Sequence, residues 1–199
     1  MRALIFDTET TGLPRDKNMP AHLLQGNWPD LVSIAWKVYE NGVFIREQSF
    51  LIQPEGWTIP PEATKIHGIT QEKAQSGVPL KVAMEAFCRD ISSSGKIIAH
   101  NLAFDKQVVL NALRWRLSLP SVAWSPLADI CTGILSTKEL KLPFNGNTHA
   151  FNFNYKMPSL KELYVATFHT EDPPGAHDSL RDVHVLEQII LTRWPNLLE

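Results

Sequence analysis

The segment Ala3-Leu4-Ile5-Phe6-Asp7-Thr8-Glu9-Thr10-Thr11-Gly12-Leu13 passes directly from an apolar run into two carboxylates. Its first four residues predict a buried strand. Because side chains alternate along a strand, Asp7 and Glu9 point to one face, which also carries Ala3 and Ile5. Two carboxylates this close repel one another unless a proton or a cation intervenes. The end of this strand is therefore the first candidate for a charged site.

The chain has 199 residues, 44% hydrophobic and 20% charged, a composition typical of globular proteins. This composition excludes a disordered chain, a collagen-like repeat and a disulfide scaffold. No stretch approaches the roughly 20 apolar residues of a membrane span, and Asp7 comes too early for a signal peptide. Cys88 and Cys131 are interpreted as buried thiols in a reducing compartment. We therefore expect one cytoplasmic domain over residues 1–199, with no membrane partner.

The net charge of −2 comes from 19 basic and 21 acidic residues and is not a strongly basic nucleic-acid footprint. If four of the acids bind metal, however, 17 remain against 19 basic groups. The acidic balance therefore does not exclude a polyanionic partner.

Periodicity and turn signals predict an α/β chain with a mixed five-stranded sheet and helices on both faces. The predicted strands cover residues 3–6, 31–39, 43–52, 96–99 and 127–130, with a hairpin turn at Glu40-Asn41-Gly42-Val43. The predicted helices cover residues 79–91, 104–117, 159–165 and 178–194; a short one follows Thr70, and residues 60–68 form a loop or a short helical turn. The Phe- and Asn-rich segment 137–158 is expected to be an extended loop over the active face.

Two further acids, Asp105 and Asp182, each head the apolar stripe of a predicted helix. The residues that share their faces are Val108, Val109, Ala112 and Leu113 for the first, and Val185, Leu186, Ile189 and Ile190 for the second. Burying an unpaired carboxylate costs several kcal/mol. Four acids at the ends of core elements therefore suggest one shared cation site, and oxygen ligands favour Mg²⁺ or Mn²⁺.

Each of these signals also has a plain structural interpretation. Acids in a first helical turn favour the helix dipole, and with Ser179 as N-cap, Asp182 occupies the third helical position of a capping box. His177 can approach Asp182 only if it lies in the loop before the helix, where it would suit a general base. His100 is expected to organise the turn with Asn101.

Three segments together resemble the motifs of the DnaQ-like (DEDDh) 3′–5′ exonucleases. They are Phe6-Asp7-Thr8-Glu9-Thr10-Thr11-Gly12-Leu13, His100-Asn101-Leu102-Ala103-Phe104-Asp105 and His177-Asp178-Ser179-Leu180-Arg181-Asp182. Ile66-His67-Gly68-Ile69-Thr70 resembles the intervening segment. The resemblance extends from Ala3 to about Ile190 and implies a ribonuclease-H-like fold, which agrees with the predicted strand order.

The resemblance implies a role for each matching residue. Asp7, Glu9 and Asp182 would hold the metal that activates water, and Asp7 and Asp105 would serve a second, so that two Mg²⁺ or Mn²⁺ ions are expected. His177 would take the proton of the attacking water, and a 5′-nucleoside monophosphate would leave from the 3′ end.

By position, six residues would contact the substrate, a single-stranded nucleic acid 3′ end. Leu13, His67 and Phe104 would lie against the terminal bases, with core packing the alternative for Leu13 and Phe104. Thr11, Gly12 and Asn101 would face the terminal sugar and phosphate. We recognise no tether to a DNA polymerase of the kind that proofreading subunits of this family carry, so a stand-alone nuclease is expected.

Two alternatives remain open at the level of sequence, and a third is disfavoured. An RNA 3′-trimming enzyme of the RNase T or oligoribonuclease kind would use the same chemistry, since a 2′-hydroxyl contact is a matter of geometry. A catalytically silent binding module would keep the fold without turnover. A retaining glycosidase also pairs carboxylates, but it would not require the other two acids or His177.

Overall fold

The computed structural model describes residues 1–119, 124, 127–143, 155–170 and 178–199. Within them, five strands form one sheet in the order β3-β2-β1-β4-β5. They are β1 (Arg2–Thr10), β2 (Leu31–Glu40), β3 (Val43–Leu51), β4 (Lys96–Ala99) and β5 (Ala128–Cys131). The β1–β2 and β2–β3 pairs are antiparallel, whereas β1–β4 and β4–β5 are parallel. The predicted mixed five-stranded sheet is confirmed.

Seven α-helices accompany the sheet in the described parts of the chain. They are α1 (Pro61–His67), α2 (Gln71–Ala74), α3 (Leu80–Ser92), α4 (Leu102–Asn111), α5 (Thr132–Leu140), α6 (Leu160–Phe168) and α7 (Ser179–Arg193). A π-helical turn, Ala112–Arg116, continues α4, and a 3₁₀ turn, Pro195–Leu198, follows α7. None of the helices described is long and apolar enough to cross a membrane.

The predicted hairpin joins β2 to β3. Asn41 and Gly42 both have positive φ, 51° and 78°, as the two central residues of a type I′ turn require. β3 is one of the two edge strands and is largely exposed, whereas β2 is buried along nearly its whole length. The central strand, β1, pairs with β2 on one side and with β4 on the other, and helices pack on both of its faces.

The alternation along β1 divides the core between the two faces of the sheet. Leu4 and Phe6 pack in the larger cluster with residues of α3 and α4. Ala3 and Ile5 pack on the opposite face with residues of α7, including Leu186. The row that contains Ala3 and Ile5 continues into Asp7 and Glu9, so this carboxylate pair faces α7.

Two predicted elements were wrong in extent. Residues 137–140 belong to α5, which begins at Thr132, so the extended loop predicted over 137–158 is wrong there; residues 144–154 lie outside the described parts. Gly133 lets this helix approach Met157 so closely that an added Cβ would lie 2.7 Å from its Sδ. Helix α4 begins at Leu102, two residues earlier than predicted, because Asn101 takes a left-handed conformation before it.

Two local predictions also need correction. Asp178, rather than Ser179, is the N-cap of α7: its carboxylate accepts hydrogen bonds from the backbone N–H of Leu180 and Arg181, both at 3.1 Å. Cys88 and Cys131 are free thiols but only half-buried, because each borders the core rather than lying inside it.

Candidate active site

Three carboxylates meet where the central strand ends. Asp7 and Glu9 extend from β1 toward α7, and Asp182 extends from the first turns of α7. Each offers one carboxylate oxygen such that the three oxygens all lie within 4.8 Å of one another. In α/β sheets, sites commonly lie beyond the carboxyl ends of parallel strands, and the ends of β1 and β4 are such a place.

The fourth predicted acid, Asp105, reaches the same region from α4. It is 3% exposed, and its Oδ1 accepts a hydrogen bond of 2.6 Å from the hydroxyl of Thr8. Thr8 lies between Asp7 and Glu9 and points to the α4 side of the sheet. The strand therefore presents two carboxylates to one helix and an orienting hydroxyl to the other.

Burial and mutual repulsion disfavour the ionised forms of these acids. Burial, followed by the negative charges of Asp105, Asp182 and Glu9, raises the pKa of Asp7 well above its usual range. Burial and neighbouring carboxylates raise the pKa of Glu9 to about 8. Burial raises the pKa of Asp105 to about 7, although the Thr8 hydrogen bond opposes the shift. Such an excess of negative charge requires protons or a cation to balance it.

The position of Asp182 depends on how α7 is fixed to the sheet. Ser179, at the start of the helix, shares a hydrogen bond of 2.9 Å with Ser33 of β2, and both side chains are buried. Ser33 is the register partner of Glu9 across the antiparallel β1–β2 pair. The start of α7 is therefore held next to the strand that carries the other two acids.

The carboxylates line a cavity of about 510 Å³ whose far wall is the segment Lys156–Leu160. His100 connects that wall to the sheet: its Nε2 lies 2.8 Å from the carbonyl oxygen of Pro158, and its Nδ1 lies 3.1 Å from the Thr132 hydroxyl. Burial lowers the pKa of His100. In the neutral ring, Nε2–H donates to the Pro158 carbonyl, which can only accept.

Three of the six predicted substrate-contacting residues line this cavity. Leu13 is 82% exposed, so the core-packing alternative for it is wrong. Asn101 and Phe104 line it as well, and Phe104 is half-buried against the core. These three side chains form one rim beside the carboxylates.

The other three predicted contacts, Thr11, Gly12 and His67, do not line this cavity. Thr11 and Gly12 line a separate cavity. The N–H of Thr11 donates to the carbonyl oxygen of Asp30, and the hydroxyl of Thr11 accepts from the N–H of Asp30. His67 is 7% exposed and does not line the carboxylate cavity; its Nδ1 accepts from the N–H of Ile69. His177 lies outside the described residues.

Two participants had no signal strong enough to single them out in the sequence. Thr8 was visible only as the residue between two acids, and its bond to Asp105 depends on α4 packing across the strand. Lys156, which lines the cavity and forms an ion pair with Glu162, lies in the segment that had been expected to be a loop.

The donor set suits a hard divalent cation. The three clustered groups offer oxygen atoms only, as Mg²⁺ and Mn²⁺ prefer, and the cluster includes neither histidine nor cysteine among the described residues. The raised pKa values of Asp7 and Glu9 indicate that positive charges of the protein do not balance the negative charges of these carboxylates. A metal site is therefore compatible with both the ligand chemistry and the electrostatics.

Known proteins share both the sequence pattern and the fold. A family model described as "Exonuclease" (RNase T) matches residues 4–190. A PolC-type DNA polymerase III from Mycoplasmopsis pulmonis (strain UAB CTIP) is 26% identical over 196 residues, which cover 98% of this chain and 12% of that protein.

Two solved structures show how widely the architecture recurs. Escherichia coli exonuclease I in complex with a dT13 oligonucleotide has a TM-score of 0.71 at 20% identity, over 98% of this chain and 42% of that one. Exonuclease X in complex with 5′-overhanging duplex DNA has a TM-score of 0.56 at 24% identity, over 99% of both chains. The chain thus spans about an eighth of the polymerase relative and two-fifths of exonuclease I. These likenesses confirm the predicted ribonuclease-H-like fold, and the family match over residues 4–190 shows that the chain belongs to the exonuclease family.

Proposed function

We propose that the chain is a 3′–5′ exonuclease that hydrolyses the terminal phosphodiester of single-stranded DNA or of unpaired DNA 3′ ends. The observation that carries the proposal is the convergence of Asp7, Glu9 and Asp182 within 4.8 Å, with the buried Asp105 beside them. The solved structures that this chain resembles include an exonuclease bound to an oligonucleotide and another bound to overhanging duplex DNA, which supports DNA as the substrate class.

Two divalent ions are proposed to be held by these acids, one by Asp7, Glu9 and Asp182 and one by Asp7 and Asp105. When bound, they supply charge stabilisation for the entering and leaving oxygens of an in-line displacement. Asp105 is kept in orientation by the hydroxyl of Thr8. The rim residues Leu13, Asn101 and Phe104 position the terminal nucleotide over the acids.

The proton of the attacking water is proposed to pass to His177. A new phosphorus–oxygen bond forms as the bond to the 3′-oxygen of the preceding sugar breaks, and that oxygen takes up a proton from solvent. The products are a 5′-nucleoside monophosphate and a strand that is one nucleotide shorter. An imidazole suits this role because it can both take up and release a proton. Thr11, Gly12 and His67 are further proposed contacts for the substrate end.

We also propose that the enzyme is cytoplasmic and that its partner is the nucleic acid itself. The polymerase relative favours a second possibility, action beside a DNA polymerase, which co-purification with a replicase would support.

The test is a gel assay with matched 5′-labelled single-stranded DNA and RNA oligonucleotides in Mg²⁺, Mn²⁺ and EDTA. The proposal expects a ladder of labelled products that shortens with time, faster for DNA, and that EDTA abolishes. Immediate release of a labelled mononucleotide would reverse the direction. A faster RNA ladder would favour the RNA-trimming alternative. Binding without cleavage, from folded protein in Mg²⁺, would indicate a silent binding module.

A further inference from the structure

Another cavity, distinct from the one that Thr11 and Gly12 line, adjoins the carboxylate cavity. It has a volume of about 740 Å³ and lies between the segment that follows the first motif, residues 14–20, and the first turns of α4. Leu13, Asn101 and Phe104 line both cavities. This upstream cavity, as we call it, is therefore reached across the same rim that borders the acids.

The wall of the upstream cavity is held in place by one buried and one half-buried side chain, Asn27 and Gln107. Asn27 is 3% exposed; its Oδ1 accepts from the N–H of Asp16 at 2.9 Å, and its Nδ2 donates to the carbonyl oxygens of Asp16 and Met19. From α4, Gln107 Oε1 accepts from the N–H of Ala21 at 2.7 Å. Because Asn27 and Gln107 hold the backbone of residues 16–21 with these hydrogen bonds, the cavity does not need a ligand in order to form.

The lining combines an apolar wall with a cationic margin. Phe104 and Trp28 are in contact, with ring centroids 5.8 Å apart at 56°. Arg15 and Lys17 are exposed, and none of the ion pairs between described residues involves them. Asp16 is the one carboxylate in this lining, and its Oδ1 accepts from the N–H of Asn18.

These features match the chemistry of a nucleotide strand. A base offers an aromatic face that packs on apolar and aromatic side chains, and each phosphate attracts an arginine or lysine. In the carboxylate cavity, by contrast, the described lining supplies one lysine, Lys156, which is already paired with Glu162. Among the described residues that line these two cavities, the cations outside ion pairs, Arg15 and Lys17, therefore lie on the upstream side. A volume of 740 Å³ is also within the range of ligand sites.

We propose that the upstream cavity binds the nucleotides immediately 5′ of the terminal one in a single-stranded DNA substrate. Their bases lie against Phe104 and the edge of Trp28, and Arg15 and Lys17 contact their phosphates. The inference rests on the proposed function, because it assumes that the terminal nucleotide occupies the carboxylate cavity. The proposal assigns a binding role to the segment between β1 and β2. The chemistry proposed for the carboxylates of the first motif does not require this segment.

The test compares kcat/KM for oligothymidylates of two, three, four and six nucleotides. Wild-type protein is expected to gain at least about tenfold between the dinucleotide and the tetranucleotide, because only longer strands reach the upstream cavity. Arg15→Glu/Lys17→Glu is expected to remove most of that gain through KM. Its log–log salt slope should also be about 1.4 smaller, at about 0.7 per phosphate contact on single strands.

A matched control separates a local effect from overall charge. Lys73→Glu/Lys138→Glu makes the same change in net charge at two exposed lysines that line neither cavity, and it should keep the wild-type length dependence. Failure to hydrolyse any oligonucleotide, by wild-type protein in Mg²⁺, would count against the proposed function. Hydrolysis that is equally fast at all lengths, or a length gain that survives in the Arg15/Lys17 variant, would overturn the upstream site alone.

Cross-linking gives a second readout that does not depend on turnover. A 5-iodouracil placed second or third from the 3′ end, irradiated with Ca²⁺ in place of Mg²⁺, should attach to a peptide that contains Trp28 or Phe104. Attachment of those positions to other peptides would overturn the assignment. The assignment would also be overturned if, with a duplex substrate, the complementary strand rather than the cleaved strand cross-linked to the peptide with Trp28 or Phe104.

Discussion

The hydroxyl of Thr8 on β1 donates a hydrogen bond of 2.6 Å to Oδ1 of Asp105 on α4, and both side chains are buried. This bond crosses the face of the sheet opposite to the one that carries Asp7 and Glu9. Strand β1 thus supplies two of the candidate ligands, Asp7 and Glu9, and it orients a third, Asp105, through the hydroxyl of Thr8. The site depends on the packing of α4 as much as on the strand.

Replacing Thr8 by valine removes the hydroxyl while keeping the branched shape. Hydrogen bonds to charged groups contribute about 1.5–3 kcal/mol, so we expect kcat to fall about tenfold or more. Steady-state rates in saturating Mg²⁺ measure this loss. Thr192→Val, which removes an exposed hydroxyl near the end of α7, is the control, and an equal loss there would contradict the expectation.

Asp7→Asn keeps the size of the side chain that both proposed metal sites share. Activity in Mg²⁺ should fall by several orders of magnitude, because the shared ligand loses its charge. The metal-free protein should become more thermostable, since one buried carboxylate is removed from a repelling group. Glu72→Gln, at an exposed acid in the first turn of α2, should change neither property. Near-normal turnover by folded Asp7→Asn protein would discard the two-metal assignment.

The raised pKa values predict how the stability of the metal-free protein depends on pH. The folded protein binds protons at Glu9 up to about pH 8, whereas the unfolded chain releases them near 4.5. The folded state therefore holds more protons in this window, and stability falls as pH rises from about 4.5 to 8. We expect the Tm in EDTA to drop by about 5–10 °C between pH 5 and pH 8.

Two additions check the origin of that drop. Glu9→Gln should reduce the drop without abolishing it, because the amide does not titrate but the pKa values of Asp7 and Asp105 are raised as well. Mg²⁺ should raise the Tm most at pH 8. A Tm in EDTA that increases between pH 5 and 8 would show that these acids are not mutually repelled in the folded protein.

Much of the site could be predicted because it follows the two-residue period of a strand. Placing Asp7 and Glu9 on the same face required only that period, and the apolar stripes below Asp105 and Asp182 required only the helical one. The structure confirms that the residues of both stripes are buried. These are local patterns, and tertiary packing reinforces them.

The features that could not be predicted depend on contacts between distant segments. Helix α5 contains glycine, serine and three β-branched residues, which are weak helix formers, and it is stabilised by its close approach to Met157. The segment before β2 has no period, and its shape comes from the side-chain bonds of Asn27 and Gln107. The same reason explains why the upstream cavity left no signal in the sequence.

His177→Ala tests the proposed general base. Loss of such a group typically costs about 10²–10⁴-fold, and kcat should fall by this factor while binding of single-stranded DNA in Ca²⁺ persists. His184→Ala removes another histidine, one paired with Glu47 on the sheet, and serves as the control. Full rate in His177→Ala between pH 6 and 9 would show that the base is another group.

Ser33→Ala tests whether the hydrogen bond to Ser179 positions α7 for catalysis. Loss of one buried hydrogen bond should cost about 1 kcal/mol of stability, and α7, which carries Asp182, then loses a bond that ties its start to the sheet. We expect kcat to fall several-fold, with a higher Mg²⁺ concentration at half-maximal rate. Ser94→Ala removes another buried hydroxyl, bonded to the Asp90 carbonyl at the end of α3. That variant should lose similar stability but keep its Mg²⁺ dependence, and equal Mg²⁺ curves for the two variants would leave Ser33 with a structural role alone.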